Sequence, residues 1–408
     1  MQTINECPIT QSTKIHPYLD LGEMPLVNNL ADSREESLNC PKYPLVVNYF
    51  PDSGLSALSV AVDPNILFTN YLYKSSVSQP YAQHCMGMFS DISKYVNIKN
   101  GDLFVDIGGN DGTLLHEFKT LNPKEGLYVN IDPSENLGEI AKSRGINTFT
   151  CFFNPEIAQT IATVKKANII TSTNVFQHLK DIQKFIEGIT IMLADNGIWV
   201  LEFPYWVHDL ETGQFDQIYH EHVYYYNITP ISILLRQYDL EIKKIEPQEI
   251  HGGTVRLYIA KISSFHKVRP RVFEYLAQER KYNERYLQKW ADTVQTLMQK
   301  WKEEITHLKQ TGVKIAAFGA AAKGCIFLNA LGIDYQILEY IVDDTDIKQG
   351  KYMPGVGLEI VGRQVLKENP VDYILILPHN FANFIQKSLI DSGYTGGFLH
   401  FLPHKINL

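Results

Sequence analysis

An acid at the end of an apolar strand, running at once into a glycine-rich turn, constrains this chain more than anything else in it. Leu103, Phe104 and Val105 lead into Asp106, and Gly108-Gly109-Asn110-Asp111-Gly112 follows. Leu114, Leu115 and Phe118 then recur at helical spacing. The string predicts strand, tight turn and helix. Glycine takes positive φ and lets the backbone come close to a ligand, and the first helical turn leaves N–H groups unpaired. The spacing Gly108-Gly109-x-x-Gly112 is not the G-x-G-x-x-G of dinucleotide folds. An acid on the strand before the turn suits a ligand with a cationic centre better than a pyrophosphate.

A second acid extends this reading. Leu127-Tyr128-Val129-Asn130-Ile131 is an apolar strand ending at Asp132, one βαβ step on. An acid at the tip of the second strand accepts both ribose hydroxyls in Rossmann-like folds. A cationic centre beside a ribose describes S-adenosylmethionine. The residues expected to hold it are Asp106, Gly108, Gly109, Asn110, Gly112 and Asp132.

The chain has 408 residues, long enough for two or three domains. Its net charge of −8 provides no basic field for nucleic acid or an anionic membrane. It has no run of 18 apolar residues, and its N-terminus lacks a basic stretch followed by an apolar one. A soluble, cytoplasmic protein is expected, and in the absence of a leftover apolar stripe, a monomer. Five scattered cysteines imply no disulfide framework.

The expected architecture is α/β in four parts. Residues 1–65 are turn-rich and predict a small irregular β domain. Residues 66–265 open with a helix near Pro80–Val96. They then alternate, with strands at 103–107, 127–131, 168–172, 197–202, 240–246 and 254–261, which predicts a mainly parallel sheet covered by helices. Residues 266–310 carry Val272, Tyr275, Leu287, Trp290, Val294, Trp301 and Ile305 mostly at three- and four-residue steps. That is one long amphipathic helix or two, bridging domains. Residues 311–408 restart the α/β pattern. There Lys314–Gly319 runs into Ala320-Ala321-Ala322-Lys323-Gly324, with further strands at 337–344 and 373–377.

Three strings carry chemistry. Tyr219-His220-Glu221-His222 packs four proton-handling groups together. Its histidines are two apart, so it is not the H-E-x-x-H of zinc enzymes. In an extended segment Tyr219 and Glu221 would share one face, and His220 and His222 the other. One histidine oriented by a neighbouring acid is a candidate base near neutral pH. His251-Gly252-Gly253 permits close backbone approach, and Arg256 follows on the next strand. Asn174 and His178 lie just past the strand 168–172, at the sheet edge where open α/β sheets place ligands.

Together these strings resemble the nucleotide-sugar C-methyltransferases that make branched deoxysugars of the mycarose type. The likeness covers most of the chain. It includes Tyr71-x-Tyr73-x-Ser75-Ser76, the glycine turn, Asn174-Val175-Phe176-x-His178, Tyr219–His222, His251–Gly253 and Gly319-Ala320-x-Ala322-Lys323-Gly324. The resemblance implies a class I methyltransferase domain with a Rossmann-like fold, a small N-terminal zinc-binding domain and a C-terminal Rossmann-like domain. It implies methylation at carbon 3 of a nucleoside-diphosphate 4-keto-6-deoxysugar through an enolate. His222 would be the base, and Glu221, Tyr219, His178 and Tyr73 would surround the sugar. His178 or a tyrosine hydroxyl would hydrogen-bond the enolate oxygen. Asn174 is placed with the cofactor. Tyr71, Ser75, Ser76, His251, Gly252, Gly253, Arg256 and, as an anion site, Lys323 are placed with the nucleotide sugar.

One departure bears on metal binding. The family's first domain holds zinc with two Cys-x-x-Cys pairs. Here Cys7 is followed at that spacing by Thr10, and the second pair falls near Phe50 and Ser53. No structural zinc is expected. Three rival functions remain open at this level. They are an O-methyltransferase, a bifunctional enzyme that also reduces the keto group with a nicotinamide cofactor on the C-terminal domain, and a non-catalytic sugar-nucleotide-binding protein.

Overall fold

A computed structural model describes residues 1–408 except 69–75, 77, 78 and 123, and gives the backbone alone for Phe68, Gln79, Pro80 and His251. Tyr71, Tyr73 and Ser75 therefore lie outside the described residues.

The strand Leu103–Ile107 is buried along its whole length. It pairs in parallel with Leu127–Ile131 on one side and Ala167–Thr173 on the other. The chain thus leaves this strand first one way and then the other. Open α/β sheets bind ligands outside the carboxyl ends of their strands at such a reversal. The sheet continues through Asn147–Phe149 on the first side, and through Leu193–Pro204, Thr254–Lys261 and Leu240–Gln248 on the second. Within this sheet Thr254–Lys261 alone runs against its neighbours. A seven-stranded sheet with this order and one reversed strand is the class I methyltransferase arrangement. The six strands expected from the sequence are all present, several with longer ends. The seventh, Asn147–Phe149, is too short and too polar to stand out as a strand signal.

The N-terminal part differs from a separate domain ending at residue 65. His16–Pro25, Lys42–Phe50 and Leu55–Leu58 form an antiparallel sheet, and its fourth strand is Tyr224–Tyr225, from far along the chain. Cys7, Ile9, Phe50 and Leu55 join the methyltransferase core. Tyr18, Leu45 and Tyr49 join a second core, shared with the bridging helix and the C-terminal sheet.

The zinc position is built differently from a metal site. The turns Cys7–Gln11 and Phe50–Gly54 meet where Cys7 Sγ lies 3.2 Å from Ser53 Oγ. Cys7 and Phe50 are fully buried, and Thr10 Oγ1 is buried without a hydrogen bond. One thiol, two hydroxyls and a phenyl ring do not make a tetrahedral zinc site. The ring fills volume where a ligand would stand.

Two helices bridge the cores, Pro270–Gln278 and Glu284–Gln310. Asn283 caps the second, its Oδ1 accepting the Tyr286 N–H at 3.2 Å. Leu287, Trp290, Ala291, Val294, Trp301 and Ile305 form its buried stripe. Trp290 meets Tyr18 and Trp206 edge-on, with ring centroids 6.4 and 5.5 Å away. Further along the same helix, Trp301 stacks near Phe327. The stripe is packing, and it ties all three parts together.

In the C-terminal sheet Ile315–Phe318 pairs in parallel with Ile341–Val342 and Tyr373–Ile376. This second reversal point is filled by protein. A Cβ on Gly319 would stand 2.2 Å from Pro378. Asp343, at the tip of its strand, already accepts the N–H groups of Ala320 and Thr345 at 2.7 and 2.9 Å. Asp132 in the first sheet accepts two backbone N–H groups in the same way, so the two strand tips are built alike.

Candidate active site

The glycine turn sits at the first reversal point. Gly108, Asn110 and Gly112 all take positive φ, at 67°, 54° and 75°. Val175 packs so close that a Cβ on Gly108 would meet it at 2.3 Å. Asp132 holds the turn from the next strand, its Oδ2 accepting the Asn110 N–H at 2.8 Å and its Oδ1 that of Ser134 at 2.9 Å. Asp106 lies beneath the turn rather than at its mouth. Thr171 Oγ1 donates to it at 2.7 Å, and burial together with the nearby Asp132 pushes its carboxyl up to about 7. Asp106 therefore supports the turn from below, and its charge is not openly presented to a ligand.

These groups fit the cofactor. A carboxylate at the strand tip matches a diol, and the buried Asn130 Oδ1 beneath the turn has no hydrogen-bond partner. Asp111, which drew no attention in the sequence, accepts the Ser76 N–H at 3.1 Å and the Thr113 hydroxyl at 2.6 Å. It docks the end of the Tyr71–Ser76 string onto the glycine turn. Asn174 takes φ of 56°, and its N–H donates to Glu202 O at 2.9 Å. A non-glycine residue in the left-handed region at a ligand edge is the kind of strain that marks functional sites.

The Tyr219–His222 string is a tight turn, not an extended segment, because the His222 N–H returns to Tyr219 O at 2.8 Å. This corrects the expected sharing of faces. Tyr219 lies on His222, ring centroids 4.0 Å apart. His220 turns away toward the N-terminal sheet, with Nε2 3.3 Å from Pro44 O. His178 and His222 come together, centroids 5.1 Å apart.

His222 Nδ1 is 2.9 Å from Gln217 O, and His178 Nδ1 is 2.6 Å from Glu221 O. A carbonyl only accepts, so each ring carries its proton on Nδ1. Burial holds His222 well below the usual imidazole range, and the neighbouring His178 and Lys323 press it further. Neutral His222 therefore keeps a lone pair on Nε2. His178 is pushed by burial to about 4, and its Nε2 lies 3.3 Å from the Gln177 amide nitrogen. The His178 ring is also hydrogen-bonded to the Asn174 backbone, so it joins the Tyr219–His222 turn to the sheet edge at Asn174. Glu221 accepts from Asn28 Nδ2 at 2.6 Å, and burial raises its carboxyl to about 7. Asn28, 193 positions away in sequence, gave no signal there.

Of the residues assigned to the nucleotide sugar, Arg256, Lys323 and Gly253 are packed against groups of the chain itself. Arg256 is buried, with Glu202 on its Nε and Asp91 Oδ2 3.0 Å from Nη1, while His84 Nε2 lies 2.7 Å from the same Glu202. Its guanidinium is spent on fastening the helix Gln79–Tyr95 to the sheet. Lys323 faces Asp209 and Asp216, which oppose the lowering of its affinity for a proton by burial. Burial raises the Asp209 carboxyl well above the usual carboxylate range, so Lys323 sits in a buried cluster with two acids of the chain. Gly253 lies against His208, whose ring a Cβ would meet at 2.2 Å. Gly252 sits beside Gln214 and Lys323, at 3.0 and 3.2 Å from such a Cβ. His251 falls in the short helical turn Ile250–Gly252.

Three family models match in chain order: a proposed zinc-binding domain over residues 7–68, a methyltransferase domain over 86–245, and the C-methyltransferase C-terminal domain over 249–403. The chain is 29% identical to the C-methyltransferase NovU of Streptomyces niveus over 410 aligned positions, covering 99% of this chain and 96% of that one. The chain belongs to the C-methyltransferase family. It is an S-adenosylmethionine-dependent methyltransferase. Solved structures similar to part of the chain include the magnesium protoporphyrin IX methyltransferase of Synechocystis PCC 6803 with bound SAH, at 14% identity over 44% of this chain and 83% of that one, TM-score 0.34. Another is the N-methyltransferase NodS of Bradyrhizobium japonicum WM9, at 13% identity over 45% and 98%, TM-score 0.34. Among the described residues no group of histidine, cysteine and acid side chains could hold a metal, and no helix is long and apolar enough to cross a membrane.

Proposed function

We propose that the protein methylates carbon 3 of a nucleoside-diphosphate 4-keto-6-deoxysugar, with His222 as the base. The observation that carries this reading is the state of His222. It is buried, neutral, and tied through Nδ1 to Gln217 O at 2.9 Å, so Nε2 accepts a proton. A ketone makes the adjacent carbon acidic. His222 takes that proton, the electron pair moves onto the ketone oxygen, and a tyrosine hydroxyl donates to the enolate that forms. Donors aimed at developing charge accelerate such steps most. Glu221, with its affinity near neutral, holds or releases a proton beside the ring. Asp132, Asn110 and Asn174 hold S-adenosylmethionine, which supplies an electrophilic methyl. The sheet edge brings cofactor and sugar together, which contributes much of the remaining acceleration.

The bifunctional alternative is disfavoured because Gly319-Ala320-Ala321-Ala322-Lys323-Gly324 lacks the G-x-G-x-x-G of dinucleotide folds. The test is mass spectrometry in deuterated water with S-adenosylmethionine and thymidine- or guanosine-diphosphate 4-keto-6-deoxyhexoses. One methyl gained on carbon, lost in His222→Asn, is expected. A methyl gained on oxygen would show an O-methyltransferase instead.

A further inference from the structure

We propose that the C-terminal domain sets the tautomer and position of His222 through the single turn Phe215–Gln217. The proposal rests on the reading of His222 as the base.

Three consecutive residues of this turn face three different places. Phe215 stacks against both Trp301 of the bridging helix and Phe327 of the C-terminal domain, with centroids 6.4 and 6.1 Å away. Asp216 Oδ2 lies 3.1 Å from His379 Nε2, just past the C-terminal strand Tyr373–Ile376. Gln217 turns its carbonyl to His222 Nδ1 at 2.9 Å. The C-terminal tail grips the same segment a few residues upstream. The His404 and Ile406 N–H groups donate to Thr212 O and Glu211 O, each at 2.8 Å.

The arrangement links a remote domain to one proton. Gln217 O can only accept, so it forces the proton of neutral His222 onto Nδ1 and leaves the lone pair on Nε2. In the other tautomer Nε2 would carry a hydrogen and could not take one from the sugar. The carbonyl stays in place because Asp216 is latched. Its other oxygen, Oδ1, is buried without a hydrogen bond. Without His379, the buried carboxylate keeps only the nearby Lys323 to meet its charge, and it shifts toward that ammonium, carrying the turn with it. Misplacing a reacting group by about 1 Å costs on the order of 10²-fold in rate. His379 is thus a positioning residue, acting through Asp216 and Gln217 without touching the sugar.

The test uses the full chain with ¹⁵N-labelled histidine rings, S-adenosylmethionine and thymidine-diphosphate 4-keto-6-deoxyglucose. His222→Asn identifies the His222 ring signals. In His379→Ala, kcat should fall about 10–100-fold with KM within about twofold, the range for groups that orient a first contact. The His222 signals should change from the Nδ1–H tautomer to a mixture. His379→Gln, whose amide can still donate to Asp216, should recover both. Unchanged His222 signals in folded His379→Ala overturn the proposal, whatever happens to kcat. Should that variant not fold, Asp216→Asn keeps the volume and weakens the latch, and unchanged His222 signals there overturn it equally. Full deuterium uptake at carbon 3 by His222→Asn would sink the base role alone, because the ring signals still report on the latch.

Discussion

The Gln217 carbonyl holds His222 by Nδ1 at 2.9 Å, and burial keeps that ring neutral. A neutral base works above its own proton affinity and fails below it. Because the folded value lies well under the ordinary 6.5, activity should be present through neutral pH and be lost only as pH falls below the ordinary histidine range. Glu221 titrates about 7 and would blur this limb. The kcat–pH profile should therefore be taken in both wild type and Glu221→Gln. A limb centred at or above about 6.5 in Glu221→Gln would contradict a desolvated His222.

Glu221 also makes a stability prediction. Its folded value of about 7 lies above the ordinary 4.5. Between those values the folded chain keeps a proton that the unfolded chain has released, so stability falls as pH rises through that window. Above it, burying the carboxylate costs on the order of 3 kcal/mol. Gln keeps the oxygen that accepts from Asn28 and carries no charge. Thermal melts should show Glu221→Gln a few degrees more stable than wild type at high pH, and level with it below the ordinary 4.5. Equal melts at both ends would mean that the carboxylate is better solvated than its burial implies.

What the sequence revealed and what it hid follow from the range of each interaction. The strand Leu103–Ile107, its turn and its helix were legible because a fully buried strand and an amphipathic helix are local patterns. The proton-handling string was legible for the same reason. Its geometry was not, since the return of the His222 N–H to Tyr219 makes a turn that four polar residues do not announce. Asn28 on Glu221, His379 on Asp216 and Asp91 on Arg256 join residues more than 160 positions apart. Nothing local marks them. Nor does anything local show that Lys323, which opens a helix, has Asp209 and Asp216 beside it.

Within the match to a proposed zinc-binding domain, this chain carries a phenyl ring. Phe50 is fully buried, and Cys7 is paired with Ser53 rather than with three more thiols. Elemental analysis of purified protein should find zinc well below one equivalent, and a chelator should leave the melting temperature unchanged. Phe50→Ala should cost about 3–5 kcal/mol, the usual range for deleting a buried aromatic ring. A melt lowered by chelator would show a metal held by ligands other than this quartet.

The glycine turn offers the sharpest test of the cofactor site. A Cβ on Gly109 would stand 2.1 Å from Asn130 Oδ1 and 2.7 Å from Asp106 Oδ2, both on buried strands that cannot swing aside. The turn must lift instead, carrying the Asn110 N–H away from Asp132. Overpacking of this kind costs about 1–3 kcal/mol, and here it falls on the backbone that faces the cofactor. Gly109→Ala should weaken S-adenosylhomocysteine binding by calorimetry at least about tenfold, the equivalent of about 1.4 kcal/mol. Gly87 is the control. It lies inside the helix Gln79–Tyr95 with nothing within 4 Å of a Cβ, so Gly87→Ala should raise stability by about 0.5–1 kcal/mol and leave binding alone. Normal binding by Gly109→Ala would mean that the ligand does not rest on this turn, and the assignment of the cofactor site would fail with it.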